Sequence, residues 1–170
     1  DGKFVAYTKH LPSNKTLWLS PMSDLEDHLE IAPEGFTPRF SPDGKWLAYT
    51  TSNPEKGLGD LWITDTATFS ERRNLTNELQ QLYGLTWTAD SRSIIFSSKR
   101  SGTNLLWQVS LDEAEIKPLM PTFGGYAIAP SIAPDGKTLV FQYGRVAKNL
   151  HLAKIGSEQL ENLTNDELHE

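Results

Sequence analysis

One short pattern returns four times along this chain and limits what the chain can fold into. An Asp, usually followed by Gly and then by a basic residue, stands just before a short apolar run. The pattern occurs at Asp1, Asp43, Asp90 and Asp135, with spacings of 42, 47 and 45 residues. A period of this length indicates a repeat architecture in which each unit stacks on its neighbours.

Two further columns of residues keep the same register. One is a Leu-Trp pair at Trp18, Trp62 and Trp107, with His151 in the fourth copy, and its spacings are 44, 45 and 44 residues. The other closes each unit near Leu75 and its equivalents. Three columns that hold register over four copies are a much stronger signal than any single motif.

The runs between the turns predict strands that are buried on both faces. The run from Trp46 to Thr50 is apolar without alternation, whereas a strand with one wet face would alternate. A β-sandwich would fit the number of strands but requires that alternation. We therefore predict an all-β fold, a β-propeller segment of four four-stranded antiparallel blades of about 45 residues each.

The blade repeats are expected at approximately 1–34, 35–80, 81–124 and 125–170. Asp1 is already a turn residue, so the first blade is predicted to lack its innermost strand. Open terminal blades expose apolar faces, and we therefore expect that this segment can self-associate. The alternatives are a piece of a longer propeller and a ring of about eight blades that two copies close together.

Composition excludes several classes of site. Zero Cys among 170 residues excludes disulfides and Cys-ligated metals, and a net charge of −6 argues against nucleic-acid binding through this segment. There is no apolar run long enough to span a membrane, and no nucleophile elbow or phosphate-binding loop. The sequence therefore predicts no catalytic residue, no metal ligand and no cofactor.

The repeated polar and aromatic residues have structural interpretations. The Asp column could form a ring of metal ligands, but its position before Gly favours turn chemistry. The Trp column could stack a ligand, but residues at fixed blade positions more often fill the space between blades. Three glycosylation-like triplets begin at Asn14, Asn74 and Asn162, and two of them belong to the repeat itself.

The segment Phe40 to Tyr49, followed by Asp60 to Ile63 and by Leu75-Thr76, resembles the TolB-type WD-like propeller repeat. The resemblance covers essentially the whole chain, although Ala89-Asp90-Ser91 and His151 depart from it. Such repeats occur in TolB-like periplasmic proteins, in the extracytoplasmic part of CadC-type transcriptional regulators and in propellers that precede serine-peptidase domains. The resemblance implies a periplasmic or other extracytoplasmic location.

Two functional hypotheses follow. The first is a non-catalytic module of a larger extracytoplasmic protein that binds a protein partner or senses a signal, as in TolB-like proteins or CadC-type regulators. The second is the gating propeller of a prolyl-oligopeptidase-like serine peptidase whose catalytic domain lies outside this chain. The first hypothesis predicts a protein partner, and neither predicts nucleic-acid or membrane contact by this segment.

Candidate binding residues are the positions of the opening strand that vary between copies. Four residues before the turn Asp, a polar column contains Arg39, Thr86 and Ser131. At the other end of the same strands stand Phe36 and Tyr83, with Tyr126 close by. A second candidate contact surface is the loop from Asn53 to Gly59, which contains Glu55 and Lys56. The alternative is that all of these are loop residues without a ligand.

Overall fold

The structure of the protein is a computed structural model. It describes residues 2–10, 15–53, 57–119 and 125–144, together with the backbone of 151–153 and 160–162. The described residues form strands and turns and contain no helix. Within this part of the chain there is accordingly no helix that could cross a membrane.

The first sheet has three antiparallel strands in the order of the chain. They are β1 (Phe4–His10), β2 (Lys15–Pro21) and β3 (Leu29–Pro33). Its first strand follows the turn at the start of the chain, as the second strand of each complete sheet follows its own turn. The first blade therefore lacks its innermost strand, as the sequence predicted.

The second and third sheets are complete four-stranded meanders. The second consists of β4 (Gly35–Phe40), β5 (Trp46–Thr51), β6 (Leu61–Asp65) and β7 (Arg72–Asn74). The third consists of β8 (Leu82–Trp87), β9 (Ser93–Ser98), β10 (Leu105–Ser110) and β11 (Ile116–Pro118). Neighbouring strands within each sheet are antiparallel, which confirms the blade predicted from the repeat.

The fourth blade is described as two antiparallel pairs. β12 (Tyr126–Ile132) pairs with β13 (Leu139–Gly144), and β14 (His151–Ala153) pairs with β15 (Leu160–Asn162). Residues 145–150, which connect the two pairs, lie outside the described residues, as do Leu163 and Thr164 of the last repeat column.

The second strands of the second and third blades, β5 and β9, are buried on both faces because neighbouring blades cover them from both sides, whereas β13 of the fourth blade leaves Val140 62% exposed. Leu47 and Tyr49 pack toward the first blade, whereas Ala48 between them packs toward the third. In the third blade, Phe96 packs toward the second blade and Ile95 toward the fourth. Each large apolar side chain buried in this way contributes about 1.5–3 kcal/mol to stability. Continuous burial explains why these strands do not alternate in sequence.

The turn residues of the repeat form the hairpins that join the first two strands of each blade. The carboxylates of Asp43, Asp90 and Asp135 accept the N–H group two residues later at 3.1, 3.0 and 2.9 Å. The residue after each Asp is left-handed, with φ of 73° at Gly44 and 60° at Ser91. Glycine adopts this conformation without strain, which accounts for the Asp-Gly pattern.

Asp65 organises a second kind of turn, between β6 and β7. Its carboxylate accepts N–H groups from Thr68 at 2.7 Å, Glu71 at 2.8 Å and Ser70 at 3.1 Å. Burial raises the pKa of Asp65, but these donors outweigh it and lower the pKa to about 2. This turn therefore depends on an ionised carboxylate.

Candidate functional site

The first strand of each of the second, third and fourth blades, namely β4, β8 and β12, is called here its inner strand. A cleft of about 300 Å³ opens where the last residues of these three inner strands come together. Equivalent positions of three blades form its walls, namely the residues three before and one before each turn Asp. These residues are Phe40 and Pro42, Trp87 and Ala89, and Ile132 and Pro134. Arg39, Thr86 and Ala133 complete the lining. The volume is at the lower end of the range for small-molecule sites.

A second cleft of about 340 Å³ lies on the same rim, between the first and second blades. Phe40 and Pro42 form its wall on one side and Gly2 and Phe4 form part of the other. The same two residues, Phe40 and Pro42, also line the first cleft. The rim is therefore indented on both sides of the second blade's turn.

Each inner strand is bent by a bulge before it reaches the cleft. The pairing register shifts between Phe36 and Arg39 in β4, and at the equivalent places in β8 and β12. The residue six before the turn Asp is left-handed in all three strands, with φ of 47° at Thr37, 90° at Gly84 and 53° at Ala129. Bulges of this kind redirect the side chains that follow, and here those side chains line the cleft.

The inner strands also approach one another closely at the bulge. A Cβ on Gly84 would lie 3.0 Å from the Cα of Ala129 in the next inner strand. Glycine at this position thus allows both a left-handed backbone and close contact between the blades. This contact brings β8 and β12 close together before they end at the cleft.

The polar side chains of the cleft all carry hydrogen-bond donors. Arg39 is exposed, and its guanidinium donates a hydrogen bond to the carbonyl of the preceding residue, Pro38, at 2.9 Å. The Thr86 hydroxyl accepts the N–H of Ile132 at 3.4 Å, which leaves its own proton available. The indole N–H of Trp87 donates to the Arg39 carbonyl at 2.9 Å, so that group is already used.

The turn carboxylates stand next to the cleft in sequence but are held by their own turns. The Ser41 hydroxyl, 2.6 Å from Asp43, is the main cause that lowers the pKa of Asp43. The Thr88 hydroxyl does the same for Asp90 at 2.6 Å. The N–H of Lys137 is the largest influence lowering the pKa of Asp135. These bonds account for the Asp column as turn chemistry, and no group of three or more potential metal ligands occurs among the described residues.

Two of the predicted site residues lie in the cleft. Arg39 and Thr86 line it, and Ser131, the third member of their column, is exposed directly before the lining residue Ile132. The sequence did not single out the adjacent column of Phe40, Trp87 and Ile132, because three large apolar residues resemble core positions. The signal that could have found it was a different large side chain in each copy at the mouth of the inner strand.

The other three predicted residues lie at the opposite end of the inner strands, away from this cleft. Phe36 is half-buried, and the Lys15 ammonium lies 5.1 Å from its ring centroid. Tyr83 is 42% exposed. Tyr126 packs on Gly144, since a Cβ on Gly144 would come within 2.4 Å of its ring. The structure therefore places the six predicted residues in two groups, and their role in binding stays a prediction.

The loop from Asn53 to Gly59 is only partly described, and Glu55 and Lys56 lie outside the described residues. Asn14 and the side chain of Asn162 do so as well. Asn74 belongs to the structure itself, because its side-chain oxygen accepts the N–H of Thr76 at 3.1 Å. This contact supports the structural interpretation of that triplet.

Asp60 is a buried carboxylate that the sequence did not mark as important. It is 6% exposed, and its Oδ1 accepts the Thr76 hydroxyl at 2.9 Å and the N–H groups of Glu78 and Leu79 at 2.9 and 3.1 Å. Burial raises the pKa of Asp60, but these donors lower it further than burial raises it. Asp60 therefore anchors the loop that joins the second and third blades.

The same loop is held from its other side by Arg100. The guanidinium of Arg100 lies 2.8 Å from the Glu78 carboxylate and 5.0 Å from the ring centroid of Trp107. Its side chain is 10% exposed. Burial lowers the pKa of Arg100, and the charge of Glu78 opposes this effect. This cluster connects the loop to the third blade at the rim opposite the cleft.

Consecutive antiparallel blades, the first of them incomplete, with a cleft at the ends of their inner strands define a β-propeller segment. The sequence matches the family described as the TolB beta propeller domain over residues 1–170. The chain therefore belongs to the TolB β-propeller family.

Comparison with individual proteins gives the same architecture. The chain is similar to TolB from Acinetobacter baumannii, with a TM-score of 0.69 and 22% identity over 95% of this chain and 41% of that one. It is also similar to a putative TolB from Agrobacterium tumefaciens, with a TM-score of 0.71 and 19% identity over 96% of this chain and 61% of that one.

A curated relative comes from the peptidases. Dipeptidyl-peptidase 5 of Porphyromonas gingivalis is 29% identical over 141 residues, which is 75% of this chain and 21% of that protein. The chain thus spans about a fifth of this relative and 41% to 61% of the two TolB chains.

Proposed function

We propose that this propeller segment is a non-catalytic module that binds a protein partner through the cleft at the ends of β4, β8 and β12. The observation that carries the proposal is the cleft itself, where apolar walls from three blades surround two side chains with free donors, Arg39 and Thr86. Concave, mostly apolar surfaces with a few well-placed polar groups are typical of binding sites.

The proposal extends to the larger protein. We infer that the segment belongs to an extracytoplasmic protein, either TolB-like or the sensor part of a CadC-type regulator, because it belongs to the TolB β-propeller family. A propeller built for binding needs no nucleophile or metal, and its function lies in the side chains placed on the repeat. In this chain those side chains are the variable residues of the inner strands.

A second candidate function rests on a specific observation. The likeness to dipeptidyl-peptidase 5 favours a propeller that gates the catalytic domain of a serine peptidase. In that case the cleft would face another domain of the same polypeptide. The two functions therefore predict different neighbours for Arg39.

Site-specific photo-crosslinking in the native host can separate them. A photoreactive residue is placed at position 39 of the full-length protein, and a matched one at Arg72, which is exposed on the outer strand β7. We expect position 39 to crosslink to a separate protein and Arg72 not to do so. Crosslinks from position 39 to a hydrolase domain of the same chain would support the peptidase function. Identical products from both positions would refute binding at the cleft.

A further inference from the structure

We propose that the cleft recognises the free C-terminal carboxylate of a polypeptide whose last residue is apolar. This inference rests on the proposed function and names the chemistry of its partner. It follows from the donors of the cleft, from its volume and from the charges around it.

The hydrogen-bond donors of the cleft favour a ligand with an anionic acceptor. Arg39 has no ion-pair partner among the described residues, and its hydrogen bond to the Pro38 carbonyl leaves most of its N–H groups free. The Thr86 hydroxyl can donate in the same cleft, and the Trp87 indole is already satisfied. A carboxylate can accept from both Arg39 and Thr86, and charge-assisted bonds of this kind are the stronger ones.

The neighbouring turn carboxylates favour a ligand with one negative charge over a ligand with several. The lining residues Pro42, Ala89 and Pro134 are each followed by a turn Asp. Donors within their own turns lower the pKa of all three carboxylates, so they remain ionised at neutral pH. A phosphate group or a nucleic-acid backbone would be repelled by these charges, whereas a monoanion beside Arg39 can be tolerated.

The volume of the cleft favours a ligand that places a single residue inside it. The apolar walls, formed by Phe40, Trp87 and Ile132, enclose about 300 Å³ together with the polar groups. In a C-terminal residue the side chain and the carboxylate are attached to the same carbon, so a single residue fills the apolar part and reaches Arg39. An internal acidic residue would need a second, apolar residue to do both. Capture of a terminal carboxylate is a recurring way of recognising peptides.

Fluorescence anisotropy with short peptides tests the inference on the full-length native protein. The probe is N-terminally labelled Gly-Ser-Gly-Leu with a free carboxylate. It is compared with its C-terminal amide and with amidated Gly-Glu-Leu-Gly, in which the acid is internal. We expect the free acid to bind about tenfold or more tightly than either, because a charge-assisted bond is worth about 1.5–3 kcal/mol.

Variants identify the residue responsible. Arg39→Met should abolish the difference between acid and amide, whereas Arg72→Met, the matched control, should preserve it. Circular dichroism of both variants checks that they fold as the native protein does. Equal affinity for acid and amide, tighter binding of the internal acid, an acid preference that survives Arg39→Met, or no binding of any peptide would each overturn the inference. Position-39 crosslinks to an internal partner segment would keep the proposed function and reject only the terminal carboxylate.

Discussion

Replacing Asp60 tests whether a single buried carboxylate fixes the connection between the second and third blades. In the structure its Oδ1 accepts three donors, from Thr76, Glu78 and Leu79, and its Oδ2 accepts the side-chain amide of Asn74 at 3.2 Å. The Thr76 hydroxyl also accepts the N–H of Leu61 at 3.0 Å. Removing the carboxylate therefore affects both the loop and the start of β6.

The magnitude depends on which donors can recover water. A hydrogen bond to a charged group is worth about 1.5–3 kcal/mol, and a buried group left unpaired costs about 1–3 kcal/mol. Glu78 and Leu79 are exposed and their N–H groups can be rehydrated, whereas Thr76 is buried. We expect Asp60→Ala to lower the free energy of unfolding by about 2–4 kcal/mol.

Asp60→Asn should cost less, about 1–2 kcal/mol. Its side-chain oxygen can still accept the three donors at Oδ1, but its new NH₂ group faces the amide donor of Asn74. Asn74 cannot turn its oxygen toward it, since that oxygen accepts the N–H groups of Thr76 and Asn77 at 3.1 and 3.0 Å. One bond and the charge are lost, and the loop stays anchored.

Urea unfolding followed by tryptophan fluorescence measures both variants. Asp112→Ala is the control, because Asp112 is exposed on the turn after β10 and its replacement should change stability by less than about 0.5 kcal/mol. The reasoning is refuted if Asp60→Ala unfolds at the urea concentration of the native protein. It is also refuted if the Asn variant is as unstable as the Ala variant.

Three further substitutions test other parts of the fold. Gly59→Ala should destabilise the protein by about 3 kcal/mol or more, because the new Cβ would overlap the carbonyl oxygen of Thr51. Urea unfolding measures this loss, and a variant as stable as the native protein would contradict the expectation. Trp87→Phe leaves the Arg39 carbonyl without its indole donor and should cost about 1–3 kcal/mol in the same assay. Asp65 contributes stability that is fully present above about pH 4 and is lost as the pH falls through its folded pKa of about 2. Asp65→Asn should therefore flatten the pH dependence of thermal unfolding over that interval, and an unchanged slope would refute this role.

The blades could be predicted from the sequence because their cause is repeated. The turn hydrogen bond of Asp43 recurs at Asp90 and Asp135, so three copies report one geometry. The run from Trp46 to Thr50 lacks alternation for a physical reason, since blades cover both of its faces. Features that repeat leave a periodic signal, and that signal gave both the fold and the missing strand of the first blade.

The features that the sequence could not predict are those that occur once or that depend on contacts between blades. Thr37 and Ala129 are left-handed at the inner-strand bulge, but neither residue type indicates a positive φ as Gly84 does. Asp60 is equally hard to see, because Leu105 occupies the equivalent position in the third blade and no column forms. A residue that acts once in a repeat is invisible to a search for periodicity.

The cleft combines both kinds of information. Its walls come from a column that looks like core, yet the three members differ in size, and only their convergence from separate blades leaves space between them. Uniform side chains at these positions would form equivalent contacts around the rim and leave no distinct place for a ligand. Arg39 adds a charge that its counterparts Thr86 and Ser131 do not carry, so the recess is cationic on one side only. A repeated scaffold can thus support a specific site when equivalent positions are filled by unequal residues. If the cleft binds as proposed, substitutions that make Arg39 resemble its counterparts should remove binding before they reduce stability.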